Sequence, residues 1–332
     1  MKILVVGGAG YIGSVLVPKL LERDYDVHVM DLLWFGNHLP PGTKLTQKDA
    51  LDATEEELRG FDQVIFLGGL SNDPMADYSP SKNFVSNAAS PAYLAYLAKR
   101  AGVKRFVFGS SCSVYGYTVN ELYNEQSPAC PTYPYGISKL QGEAGVLLMQ
   151  DNNFSVIVLR KGTVCGYSPR MRLDLVVNTM FKTAVSEKVI TVNNPAIWRP
   201  ILGIQDAANA YVRAVECSES ISGIFNVASG NYTLGELADH VQDGIREYLR
   251  KEIRMKIKHV HDLRNYKVSW EKAEKTLSFK PRYDVKGIVK ELVENQAKFT
   301  DFENPNYYNI NTFKALDAKR NPPPPASSSS HP

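Results

Sequence analysis

The sequence predicts an α/β fold: a doubly wound parallel sheet followed by a smaller α/β C-terminal domain. Three observations lead there. Short apolar runs recur through the first half of the chain, stretches of helical spacing separate them, and a glycine-rich turn joins the first run to the first helix. Lys2-Ile3-Leu4-Val5-Val6 suits a strand buried on both faces. Residues 11–21 place Ile12, Val15, Leu16, Leu20 and Leu21 on one helical stripe. Further strands are expected at 26–30, closed by Asp31, and at 44–47, 63–67, 105–108 and 156–159. Helical stretches lie near 55–58, 91–101 and 135–150, so the crossovers are right-handed and cover both faces of the sheet.

Beyond Gly162 the pattern loosens. Residues 168–183 read as a loop that continues into a helix, and 254–261 alternate Met255 and Ile257 with basic residues, as a half-exposed strand with a solvated basic face would. The expected division is a first domain over 1–165, with part of 196–228 returning to it, and a second domain over 166–315. A disordered tail over 316–332 ends in Asn-Pro-Pro-Pro-Pro-Ala-Ser-Ser-Ser-Ser-His-Pro, which cannot bury a core.

Composition narrows the function classes. With 332 residues and 44% hydrophobic content the chain can bury a full core, and a net charge of +3 is too small and dispersed to imply a nucleic-acid partner. Cys112, Cys130, Cys165 and Cys217 show neither CxxC nor metal-ligand spacing, so no metal is expected. No secretory signal precedes the first strand and no apolar run has membrane-spanning length, which makes a reducing cytoplasm the default and a membrane partner unexpected.

The glycine-rich turn is Gly7-Gly8-Ala9-Gly10-Tyr11-Ile12-Gly13. On a strand-to-helix turn Gly7 permits the tight bend, Gly10 lets the backbone approach a pyrophosphate, and Gly13 allows close helix packing, while the helix N-terminus offers free N–H groups. Asp31 stands 18 positions after Gly13, where an acid accepts both adenosine ribose hydroxyls and repels a 2′-phosphate. Leu32-Leu33-Trp34 brings no arginine there, so NAD is favoured over NADP. The bland alternative is a glycine-rich turn with no ligand.

A second segment, Tyr135-Gly136-Ile137-Ser138-Lys139, puts a phenol and an ammonium one helical turn apart. Oxidising a secondary alcohol requires a base for the hydroxyl proton, and tyrosine, with a pKa of about 10, is poor at neutral pH unless a cation favours the phenolate. Lys139 and an oxidised nicotinamide would both supply that charge. Tyr-x-x-x-Lys also arises by chance in helices.

The order GGAGYIG, then Asp31, then Ser110-Ser111-Cys112-Ser113-Val114-Tyr115-Gly116, then Tyr135-x-x-x-Lys139, then Arg199-Pro200 with Asp206, resembles the extended short-chain dehydrogenase/reductase family of NAD-dependent nucleotide-sugar epimerases and dehydratases. The resemblance runs over roughly residues 1–290 and implies a Rossmann NAD-binding domain with a nucleotide-sugar domain. It further implies that Tyr135, Lys139 and Ser111 are catalytic, that Lys139 also holds the nicotinamide ribose, and that Ser111 bonds the reacting sugar oxygen. Cofactor roles are implied for Tyr11 and Ile12, for Asp49 and Ala50 beside the adenine, for Leu67 and Gly68 beside the adenosine ribose, and for Asn87 and Ser110. Thr163 and Val164 would approach the nicotinamide carboxamide. For the substrate the resemblance offers Arg199, with Arg264 as a second diphosphate clamp, and Asn178 or Arg172 facing the sugar. The competing readings are that Asn87 merely caps backbone, and that Arg172 and Asp174 only fix their loop.

Members that eliminate water carry an acid pair after the Ser/Thr, where this chain has Cys112 and Ser113, and 3,5-epimerising members place a working cysteine two residues before the VYG tyrosine rather than three. What remains is transient oxidation at C4. The reading adopted is an epimerase acting on a nucleotide hexose or heptose, with a C4 dehydrogenase releasing the 4-keto sugar as alternative, then a 4,6-dehydratase, and a non-catalytic NAD sensor outside that class. Helices at 83–100 and 135–150 carry more apolar residues than one stripe requires, among them Tyr93, Leu94, Tyr96, Leu97, Val146, Leu147, Leu148 and Met149, which points to a homodimer.

Overall fold

The computed structural model describes residues 1–259 and 265–320. The chain opens with β1 (Lys2–Val6), α1 (Gly13–Leu21), β2 (Asp26–Asp31), β3 (Lys44–Gln47), α2 (Glu55–Leu58) and β4 (Gln63–Phe66). Helices α3 (Asp73–Tyr78), α4 (Pro80–Phe84) and α5 (Ser90–Arg100) lead to β5 (Arg105–Ser111), then come β6 (Tyr117–Tyr123), α6 (Pro134–Leu147) and β7 (Ser155–Lys161). The second half holds β8 (Thr163–Cys165), α7 (Val176–Glu187), β9 (Val189–Asn193), β10 (Trp198–Gly203), α8 (Ile204–Glu216), β11 (Gly223–Val227) and β12 (Gly230–Thr233). It closes with α9 (Leu234–Leu249), β13 (Arg254–Lys258), β14 (Asn265–Val268), α10 (Glu271–Leu277), α11 (Val285–Asn295) and α12 (Asn309–Arg320).

Seven strands form one parallel sheet in the order β11-β7-β5-β4-β1-β2-β3. The two-residue period of a strand sends Ile3, Val5, Val29 and Leu159 to the face covered by α1 and α8. It sends Leu4, Val6, Phe66, Phe106 and Phe108 to the face covered by α5 and α6. Both faces are dry, which is why these strands read as unbroken apolar runs. Connectivity reverses between β1 and β4, and the crevice at the carboxyl ends of the strands opens there. A separate core gathers α7, α9, α11 and β9 around Phe181, Ile190, Val241 and Ile288. After α8 the chain enters β11, which pairs with β7 and extends the central sheet.

Several expectations are corrected. α12 runs to Arg320, so residues 316–320 are helical rather than tail, because Phe313 buries against Trp34 and Tyr78 and Asp317 pairs with Lys82. The rest of the expected tail lies outside the described residues. β5 continues to Ser111 through seven pairs with β7. β13 is exposed throughout rather than half-exposed, since among the described residues it pairs only with β9. Of the apolar residues noted for a second subunit, Leu94, Leu97 and Val146 belong to the core, whereas Tyr93, Tyr96 and Leu148 are exposed, Leu148 by 80%.

Candidate active site

The glycine turn is shaped by close approaches that no side chain would survive. Gly7 has φ +76°, and a Cβ there would lie 2.6 Å from Gly68 N; one on Gly13 would lie 2.3 Å from Gly8 O. Gly7 N donates to Met30 O at 2.8 Å, tying the turn to β2. Asp31 closes β2 and accepts from Ala9 N at 3.0 Å and Leu33 N at 2.7 Å, while burial raises its pKa above the ordinary carboxylate value. A cleft of about 320 Å³ opens here, and Gly7, Gly10, Asp31, Asp49, Ala50, Leu67 and Gly68 all line it. Asp49 also caps the short turn that follows, accepting from Leu51 N at 3.0 Å. Glycines tight enough to exclude a Cβ, an acid at the end of β2 and a cleft spanning both suit a dinucleotide. Tyr11 and Ile12 stand where the turn enters α1.

Tyr135 and Lys139 lie on the first turns of α6, which starts at Pro134 as a helix N-terminus favours. Lys139 is 5% exposed; its Nζ donates to Gly109 O at 3.1 Å and lies 5.1 Å from the Phe108 ring centroid. Burial pulls its pKa down to about 8, against the opposing charge of Glu143. The Tyr135 phenol is pushed up to about 12, first by burial and then by the Asp73 charge, with a hydrogen bond from Ser111 and the charge of Arg172 working the other way. The Lys139 ammonium is engaged with the Gly109 carbonyl, and desolvation of the phenol outweighs the Ser111 bond and the Arg172 charge. Ser111 ends β5, and its Oγ accepts from Ser113 N at 3.2 Å.

A buried ion pair fixes α6 to the sheet. Arg160 on β7 holds Glu143 on α6 with Nη2–Oε2 at 2.7 Å, and Ser110 donates to the same carboxylate. Arg160 Nη1 donates to Tyr115 OH at 2.9 Å, which itself bonds Asn226 Oδ1 at 2.8 Å. Ser110, expected at the cofactor, is therefore corrected to a structural position: it is fully buried and its hydroxyl is taken by Glu143. Asn87 donates to Leu70 O at 2.8 Å and to Ser138 Oγ at 3.2 Å, joining the β4 loop to α6. Gly69, at φ +133°, is what admits it, since a Cβ there would lie 2.2 Å from Asn87 Oδ1.

On the substrate side, Arg199 is buried on β10, donates to Trp198 O at 2.9 Å and lies 5.7 Å from the Tyr266 ring. Arg264 lies outside the described residues. Asn178, expected at the substrate, is corrected: its amide bonds Tyr11 OH, Gly166 O, Gly166 N and Arg172 O, so all its capacity goes to holding the loop after β8. Arg172 makes a two-pronged pair with Asp174 at 2.8 and 3.0 Å, the loop-fixing arrangement. Thr163 and Val164 sit on β8, which pairs with β10.

Two groups went unforeseen. Lys161 ends β7 opposite Ser111 and donates to Tyr211 OH at 2.9 Å beneath Gly109, its pKa driven far down by burial and by Lys139. A lysine closing the apolar run 156–159 was its only signal. Arg170, on the loop before α7, had none. Among the described residues no group of three or more His, Cys, Asp or Glu could hold a metal ion, and no helix is long and apolar enough to cross a membrane.

Comparison with known proteins agrees with this geometry. The chain is 28% identical to the UDP-glucose 4-epimerase of Corynebacterium glutamicum over 88% of its own length and 94% of that relative. It is 28% identical to UDP-glucuronic acid decarboxylase 5 of Arabidopsis thaliana over 85% of each. The fold matches that of UDP-glucose 4-epimerase from Thermotoga maritima with UDP-glucose at a TM-score of 0.79 and 24% identity, covering 91% of this chain and 100% of that one. It matches MoeE5 in complex with UDP-glucuronic acid and NAD at 0.79 and 22%, covering 90% and 99%. A family profile described as "NAD dependent epimerase/dehydratase family" fits residues 3–228, and the chain belongs to that family, with NAD as its cofactor.

Proposed function

We propose that this protein is a nucleotide-sugar epimerase that works by transient oxidation at C4 of a hexose or heptose. The observation that carries the reading is the grouping of Tyr135, Ser111 and Lys139, with a buried cysteine, Cys112, beside Ser111 where members that eliminate water carry an acid. Cys112, the neighbour of Ser111, is fully buried, donates to Arg160 O at 3.2 Å, and has its thiol pKa pushed far up by burial. It is a packing residue rather than an acid.

In this reading Gly7, Gly10, Gly13 and Asp31 hold the cofactor, and Asp49, Ala50 and Gly68 wall its adenosine end. NAD, when bound, takes up and returns the hydrogen of the sugar carbon. Ser111 orients the reacting oxygen through its hydroxyl. Tyr135 holds its proton until a nearby positive charge lowers the cost of losing it, because burial and the Asp73 charge push the phenol up to about 12. Lys139, at about 8, exchanges protons readily in the neutral range and so suits a relay behind the phenol. Arg199 is the candidate grip on the diphosphate.

The test is incubation with nucleotide hexoses and heptoses, following product by NMR and absorbance at 340 nm. A C4 epimer without net NADH supports the reading. Stoichiometric NADH with a keto sugar would instead identify a C4 dehydrogenase. Tyr135→Phe should abolish turnover while leaving NAD binding intact; full activity in that variant would remove the assigned base. The exposed Phe84, Tyr93, Tyr96 and Leu148 on α4, α5 and the end of α6 support a homodimer, which sedimentation at micromolar concentration checks.

A further inference from the structure

Arg170 lies on the loop between β8 and α7 and is 2% exposed, yet its Nε and Nη1 have no hydrogen-bond partner among the described residues. A guanidinium buried with two nitrogens unsatisfied is costly unless an anion meets it. Burial draws its pKa down to about 9, and Arg172 adds repulsion. The neighbouring acid does not resolve this, because Asp174 is already committed to Arg172 by a two-pronged pair.

The rest of the side chain is held in place. Nη2 donates to Asn309 Oδ1 at 2.5 Å, and the guanidinium carbon sits 3.6 Å from the centroid of the Phe35 ring. Asn309 is locked in turn, donating through Nδ2 to Ser71 Oγ at 2.7 Å and through its backbone N to Asp174 at 3.3 Å. A fork fixed on one prong and by its face, with other N–H groups left over, is pre-organised for an oxyanion.

Position identifies the anion. Phe35, on which Arg170 stacks, lines the dinucleotide cleft beside Asp31 and Gly10. Arg170 is within electrostatic reach of both Asp31, at the end of β2, and Tyr11, at the entry to α1. The part of a dinucleotide that lies between those points is its pyrophosphate, while Asp31 disfavours a second phosphate on the adenosine ribose. We propose that Arg170 is a clamp for the cofactor pyrophosphate, reaching across from the second domain to meet the amides at the start of α1, with Asn309 setting its position. The clamp rests on NAD being the cofactor.

Calorimetric titration of the full-length protein with NADH, NADPH, ADP-ribose and adenosine tests it. Arg170→Met should weaken NADH and ADP-ribose on the order of 10- to 100-fold, the size of lost charged hydrogen bonds, and leave adenosine within about twofold. Equal weakening of adenosine, or no change in ADP-ribose, overturns the clamp. A loss confined to NADPH places the anion at the 2′-phosphate and overturns it too. Should Arg170→Met be too unstable to titrate, Asn309→Leu keeps the guanidinium and removes its anchor; it should weaken ADP-ribose several-fold with adenosine unchanged, and an unaltered ADP-ribose affinity overturns the proposal. Wild-type protein that binds none of the four ligands removes the cofactor together with the clamp, whereas ADP-ribose binding indifferent to Arg170 removes the clamp alone.

Discussion

Replacing Lys139 by methionine should stabilise the fold while removing its chemistry. The ammonium is 5% exposed, and burial moves its pKa from 10.5 to about 8. That difference, about 2.5 units at 1.36 kcal/mol each, corresponds to roughly 3 kcal/mol of charge burial. The lost hydrogen bond to Gly109 O returns about 1 kcal/mol, leaving a net gain of roughly 2 kcal/mol at pH 7. Lys161 adds to the gain, because its own charge is suppressed in part by Lys139. Since the folded pKa lies below the unfolded one, the penalty is fully present below about pH 8 and fades as pH rises towards 10.5, a window in which the unfolded chain binds the extra proton. Urea denaturation at pH 7 and pH 10.5 reads this directly. The variant should exceed the wild type by about 2 kcal/mol at pH 7, and the gap should close to within about 1 kcal/mol at pH 10.5. A variant less stable than the wild type at pH 7, or a gap indifferent to pH, would refute the assignment of a strained buried charge.

Two further substitutions separate the scaffold from the site. Glu143→Gln strands the Arg160 guanidinium, which is buried on β7, and should cost about 3–5 kcal/mol in urea denaturation. A loss below about 1 kcal/mol would mean that the pair does not hold α6 in place. Phe313→Ala empties the space between Trp34 and Tyr78 at the mouth of the cleft. It should cost about 3 kcal/mol and speed NAD release in a fluorescence chase; unchanged release would detach α12 from the cofactor.

The sheet was readable because its strands are buried on both faces. Lys2–Val6 shows that need as an unbroken apolar run, and Gly7 and Gly13 show it as positions where a Cβ would strike backbone. Polar residues were harder, because a side chain does not declare its partner. Ser110 and Asn178 had the types and places of ligand-binding residues, yet one is claimed by Glu143 and the other by Tyr11 and the loop it crosses, the latter bond spanning 167 positions. Arg170 and Asn309 meet across 139 positions, a contact set by tertiary packing alone. α12 did carry a signal: Ile310, Phe313 and Leu316 recur every third residue, one helical stripe that the neighbouring proline-rich segment obscured.

The same long-range contacts bear on which chemistry suits the site. Tyr11 OH donates to Gly166 O at 2.6 Å and Ser168 Oγ donates to Tyr11 O at 2.7 Å, so the glycine turn that would hold the cofactor is bonded to the loop of the second domain. Ser14 and Ser168 share a hydrogen bond of 2.8 Å in the same seam. α12 adds Phe313, Leu316 and Asp317 to the walls of the cleft from the far end of the chain. If release of a dinucleotide required that seam to open, several buried hydrogen bonds would have to break at once, each net worth about 1 kcal/mol and more when desolvated. An enzyme that exchanged NAD for NADH at every turnover would meet that barrier in each cycle. One that returns the hydrogen to the sugar within the same cycle never meets it, and the closed seam then protects the reactive ketone from water. The seam thus supports the redox-neutral epimerase that we propose over a dehydrogenase, through residues remote from Tyr135.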